Sequence, residues 1–274
     1  MFFKKSGETV HPIALNLFKN SLAVVLFIPT MVIFGEPFYR DVPLNDYLIV
    51  LASGALGIGI SDTMFFKSLN LLGAGMSAIV DCLYSPFIIG LSILMLGESL
   101  NLIQIIGVIM ILSAVLTATH PKGRGNISKP DLIRGIIWGV LAMAVMAVGI
   151  VMVKPVLDRS PLLWVTEYRL FGGAVVLIIV LLLHPLRRKI MASLFSMRSW
   201  HYTISGSFFG AYLAMLIWLA GMKYTQASTA AALNQTSNIF IFIFAAIFLK
   251  EAINVQKTIA IIIAVGGAFM VTFG

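Results

Sequence analysis

Polar residues stranded inside apolar runs are the places where this sequence can do chemistry. In "DCLYS" (81–85), Asp81, Tyr84 and Ser85 fall three and four residues apart, so a helix places them on one face. In "NQTSN" (234–238), Asn234 and Asn238 repeat that spacing. A carboxylate, a phenol, a hydroxyl and two carboxamides can hydrogen-bond a polar solute, and Asp81 can pass a proton to and from it. The competing role is structural: Asp81 and Asn234 as hydrogen-bonding links between helices.

Four more ionisable residues stand out at depth inside apolar runs: Lys19, Asp62, Glu167 and Arg169. Each costs about 2.5–3.5 kcal/mol at the centre of a membrane helix, so each is expected to face a cavity or a partner. Asp62 either lines the same cavity as Asp81 or pairs with Lys19. Lys19 and Arg169 take equivalent places in their runs, where long basic side chains commonly reach back to the interface. Glu167 and Arg169 are two residues apart and share no helix face, so each is expected to find a partner elsewhere. Glu98 and Glu251 stand where an apolar run meets water and read as helix-end markers. Trp218, Tyr84 and Trp138 are candidate cavity aromatics.

Other chemistries find little support. Cys82 is the single cysteine, which excludes an internal disulfide and a multi-cysteine metal site. The four histidines are dispersed and form no HExxH-type pair. No phosphate loop or nucleophile elbow is present. No metal, cofactor or catalytic set is expected.

The elements that must position these residues are membrane helices. The chain has 274 residues, 59% hydrophobic and 11% charged, with a mean hydropathy of +1.00. Soluble domains are about 45–50% apolar and about 25% charged. Apolar runs fall at about 13–34, 47–69, 75–96, 101–119, 135–153, 162–183, 202–221, 228–249 and 254–273. Each suits a helix crossing, and none alternates with the period of a barrel strand. "MFFKKSGETVHP" has no apolar core of a cleavable signal, so the first run is expected to stay in the membrane.

The chain repeats itself. At a constant offset Asp81 falls on Asn234, Ser85 on Asn238, Phe87 on Phe240 and Glu98 on Glu251. Further upstream Pro12 meets Pro161 and Lys19 meets Arg169. The opening "MFFKKSGETVHP" aligns with "IVMVKPVLDRSP", the end of the run at 135–153. The full pattern is therefore two units of five helices. Here the first repeat (1–119) has four, its opening helix missing. A basic loop (120–134) follows, then the second repeat (135–274) with five. An odd number of crossings turns the second unit upside down. Two inverted units place a solute site near the midplane, where the faces of Asp81 and Asn234 would meet.

The runs "FFKSLNLLGAGMSAIVDCLYSPFIIGLSILMLGESLNLIQIIGVIMILSAVL" (65–116) and "LAGMKYTQASTAAALNQTSNIFIFIFAAIFLKEAINVQKTIAIIIAVGGAFM" (219–270) carry a family resemblance. The pattern resembles the EamA-like family of the drug/metabolite transporter superfamily. Pro86, "LGE" at 96–98 and Glu251 fit that family's motif. Ile239 departs from it, standing where the second repeat would have its proline, and the first helix, which helps wall the family's central cavity, is absent. The resemblance implies a secondary transporter of small polar or amphipathic metabolites such as amino acids, expected to be an exporter. Its partners would be the solute, a coupling proton or ion, and the lipid bilayer. An intramembrane enzyme acting on a lipid or prenyl substrate is the alternative, as is a non-transporting membrane partner.

The net charge of +8 reads as loop charge rather than nucleic-acid binding. Lys and Arg concentrate in 120–134 and 185–200, which the positive-inside rule puts in the cytoplasm together with the N-terminal segment. The C-terminus is then expected outside, against the cytoplasmic termini of ten-helix family members. The expected location is a bacterial cytoplasmic membrane.

Overall fold

The structure, a computed structural model, describes residues 2–7, 9–97, 101–119, 127–195, 200–234, 236–250 and 255–273. Regular structure among them is helical: α1 (Phe2–Ser6), α2 (Pro12–Ile33), α3 (Leu44–Gly54), α4 (Asp62–Asp81), α5 (Tyr84–Leu96), α6 (Leu102–Thr119), α7 (Lys129–Arg159), α8 (Leu162–Leu183), α9 (Arg187–Phe195), α10 (Trp200–Gly206), α11 (Ala214–Tyr224), α12 (Ala227–Asn234), α13 (Thr236–Leu249) and α14 (Val255–Phe273). Five helical runs among the described residues are long and apolar enough to cross a membrane: Pro12–Ile33, Leu44–Asp81, Lys129–Arg159, Leu162–Leu183 and Trp200–Tyr224. Shorter apolar helices cover Tyr84–Met95, Leu102–Ala114, Ser237–Leu249 and Val255–Val271. Leu94, Ile33 and Leu183 stand bare on helix surfaces, as expected where the surrounding solvent is lipid.

The chain divides into two compact units. One comprises Lys67–Ala147 and Thr225–Gly274, the other Phe2–Phe66 and Val148–Tyr224. The first has a core of Leu72, Met76, Ile79 and Val80 from α4, Ile111 and Ala114 from α6, and Ala260, Ala264 and Ala268 from α14. In the second, α8 packs against α2, α3 and α11, and buries Trp164, Leu170 and Leu177 as well as Glu167 and Arg169.

Three departures from plain α-helix shape the units. The backbone leaves the helix at Gly73 (φ 78°) inside α4, a conformation open to glycine because it has no Cβ. The crossing read at 75–96 is made of two helical pieces: α4 ends at Asp81 and α5 begins at Tyr84. Pro86 has no N–H for the carbonyl of Cys82 and its ring crowds that carbonyl, so the helix breaks one turn upstream. In the crossing read at 228–249, Ile239 stands in place of that proline, and the Ser237 hydroxyl donates to the Asn234 carbonyl at 2.7 Å.

The third departure is a pair of π-helical segments, Ala55–Ser61 between α3 and α4 and Ser207–Leu213 between α10 and α11. Each has seven residues and follows a glycine, Gly54 or Gly206. A π turn frees carbonyls that need new donors. Asn16 of α2 supplies them: its Nδ2 donates to Ile58 O at 2.8 Å and Gly59 O at 3.3 Å. Thr63 Oγ1 adds a bond to Gly59 O at 2.8 Å.

Candidate functional site

The polar residues gather in two places, one in each unit. In the first unit Asp81 and Asn238 come together, with Asn238 Nδ2 donating to Asp81 Oδ2 at 3.2 Å. The same amide lies 3.5 Å from Cys82 Sγ. Tyr84, Ser85 and Asn238 are buried, while Asp81 and Asn234 are half-buried. The Ser85 hydroxyl is buried with no hydrogen-bond partner among the described residues. Ser85 and Asn238 are the matching positions of the two repeats. The chain thus supplies a carboxylate–carboxamide contact and, beside it, a hydroxyl with bonding capacity to spare.

The second unit holds the buried charges. Lys19 Nζ donates to Asp62 Oδ2 in a salt bridge, with the two side chains 8% and 15% exposed. Arg169 is 1% exposed, and its guanidinium lies 5.7 Å from the centre of the Trp218 ring. Both cations are buried within the protein, and each has a neighbour there that offsets its desolvation. Glu167 is 0% exposed, and neither of its carboxylate oxygens meets a donor among the described residues. The ion partner expected for Glu167 is therefore not found there. The cations of neighbouring elements have bonds of their own: Arg159 with Asp46 at 2.6 Å, and Lys223 with the carbonyls of Leu157 and Ser160.

Helix packing fixes these charges closely. A Cβ on Gly54 would lie 1.8 Å from the Arg169 carbonyl oxygen, and one on Gly172 would lie 2.1 Å from the Leu51 carbonyl oxygen. Backbones of α3 and α8 therefore touch where Arg169 sits. At the start of α8, Glu36 Oε2 accepts from Trp164 N at 3.1 Å, a carboxylate placed where the helix dipole favours it.

Asp62 and Trp218 lie in the second unit, each beside a cation. Trp138 also meets a cation, Lys67 Nζ at 4.4 Å from its ring centre. Glu98 and Glu251 lie outside the described residues. Sequence reasoning missed Asn16 and Asn20, both 0% exposed. The signal was a pair of amides four residues apart in the first apolar run. It also missed Phe66, which reads as ordinary core until Lys19 is seen above it.

Comparison with known proteins agrees with this architecture. An uncharacterised transporter of Archaeoglobus fulgidus is 24% identical over 268 residues, covering 96% of this chain and 88% of that protein. Another, of Methanothermobacter thermautotrophicus, is 23% identical over 226 residues, covering 82% of this chain and 64% of that protein. A crystal structure aligns over 98% of this chain and 90% of its own with a TM-score of 0.74 at 19% identity, a likeness of fold. The sequence pattern of the EamA-like transporter family matches residues 1–119 and 133–273. With its apolar helices, the chain is an integral membrane protein and belongs to the EamA-like transporter family.

Proposed function

We propose that this protein is a secondary carrier that exports small polar or amphipathic metabolites, amino acids among them, across a bacterial cytoplasmic membrane. Two inverted repeats, 1–119 and 135–274, alternate access to a solute path lined by Asp81, Tyr84, Ser85, Asn234 and Asn238. The observation that carries this reading is the Asp81–Asn238 contact, which forms where α4 ends at Asp81 and α5 begins at Tyr84. A discontinuous helix is where carriers bind solutes and coupling ions, and irregular backbone in a membrane is tolerated only inside protein or beside water. The matched π segments and glycines support the repeat independently. A coupling proton fits Asp81.

Counterflow of radiolabelled amino acids in proteoliposomes tests the proposal. Saturable counterflow that is lost in Asp81→Leu supports it. Chemical conversion of an added lipid without solute flux would favour an intramembrane enzyme instead.

A further inference from the structure

The junction of α8 and α9 in the second unit collects positive charge. Arg187, Arg188 and Lys189 open α9, all three are exposed, and its first turn holds no acid. A helix N-terminus is itself partly positive and favours anions. Three cations at that end repel one another and sit against the helix dipole. Among the described residues no carboxylate pairs with any of them.

A cavity of about 440 Å³ opens at the same place, lined by these three cations, His184, Leu182 and Leu183. Its polar side is already arranged. Arg187 Nη1 donates to the Leu182 carbonyl at 2.9 Å. That bond serves one of the open carbonyls at the end of α8 and leaves the guanidinium its other N–H donors. His184 Nδ1 accepts from Leu186 N at 3.0 Å, so the proton of the neutral ring is on Nε2. α9 is held in place: Ile190 and Leu194 are buried, and Ser193 Oγ accepts from His11 N at 3.1 Å. The apolar side is bare. Leu182 and Leu183 are exposed on the last turn of α8, a helix long and apolar enough to cross a membrane.

We propose that this cavity binds an anionic phospholipid, its phosphate against Arg187, Arg188 and Lys189 and its acyl chains along Leu182 and Leu183. Arginine and lysine give a phosphate short, charge-assisted hydrogen bonds. The leucines select a lipid over free phosphate, which would use the cations and leave the apolar side uncovered. They stand at the end of a membrane helix, the level at which acyl chains give way to headgroups. The positive-inside rule puts this end in the cytoplasm, against the leaflet whose anionic lipids attract clustered Lys and Arg.

Thermal unfolding of the full chain in a non-ionic detergent tests this, with phosphatidylglycerol or phosphatidylcholine added at equal mole fraction. Phosphatidylglycerol should raise the midpoint above phosphatidylcholine by about 2–4 °C, the scale of a saturating ligand on a chain of this size. The difference should vanish in a triple variant, Arg187→Gln, Arg188→Gln and Lys189→Gln. It should persist in a control triple variant, Lys129→Gln, Arg134→Gln and Lys250→Gln, which removes equal charge from exposed positions elsewhere. Inorganic phosphate should give no comparable rise. If the first triple variant does not melt cooperatively in detergent alone, Arg188→Gln with Lys189→Gln, which leaves the Arg187 bond intact, should show the same loss. Equal midpoints in the two lipids overturn the proposal, as does a difference that the substituted cavity retains or that both triple variants lose alike. A rise matched by inorganic phosphate overturns it in favour of a free-anion site.

Discussion

Asn238 of α13 donates to Asp81, the last residue of α4. The bond joins positions 157 residues apart in the chain. A hydrogen bond to a charged group contributes about 1.5–3 kcal/mol. Asp81→Leu should therefore lower stability by about that amount, read from thermal unfolding in detergent. Asp81→Asn should unfold close to the wild type yet lose proton-coupled counterflow. Coupling that survives in Asp81→Asn removes the residue from the proton path.

The Lys19–Asp62 bridge gives a second expectation. Removing one member of a buried pair leaves an uncompensated charge and costs about 3–5 kcal/mol, whereas replacing both with apolar residues is often neutral or stabilising. Asp62→Ala alone should destabilise strongly. The double change Lys19→Met with Asp62→Leu should recover most of the loss. A double-mutant cycle on unfolding free energies reads the coupling directly.

Glu167 should behave in the opposite way. Its buried carboxylate has no donor among the described residues, and burying such a group is costly. Glu167→Gln should unfold at the same temperature as the wild type or higher. A loss of more than about 2 kcal/mol, the size of a broken charged hydrogen bond, would show that the carboxylate is bonded in the folded protein.

Glycine positions separate contact from propensity. Gly54→Ala must drive the α3 and α8 backbones apart, since the new methyl would meet the Arg169 carbonyl. Overpacking of this kind costs about 1–3 kcal/mol or more. Gly221→Ala meets nothing within 4 Å and should be neutral or gain up to about 1 kcal/mol from helix propensity. The unfolding midpoint of Gly54→Ala should fall, while that of Gly221→Ala should hold or rise.

How much of this was legible in the sequence varies by element. The apolar runs stood out because lipid imposes a long uniform signal. The break near Cys82 was readable through Pro86, whose missing N–H acts at a fixed distance. The π segments carry no residue code of their own: one extra residue per turn becomes visible only when Asn16 is seen serving the freed carbonyls. The Lys19–Asp62 pair was one of two readings offered by spacing and charge. The Arg169–Trp218 contact escaped, because a tryptophan in an apolar run looks like packing until its neighbour is known.

At the centre of the proposed function, Asn234 of α12 faces a path that opens to each side of the membrane in turn. The chain's single cysteine, Cys82, is buried and can be replaced by alanine, so Asn234→Cys in that background carries one reporter thiol. A membrane-impermeant maleimide applied to right-side-out and to inside-out vesicles should label it from both faces. Labelling from neither face, in protein shown to be folded and inserted, would contradict the account.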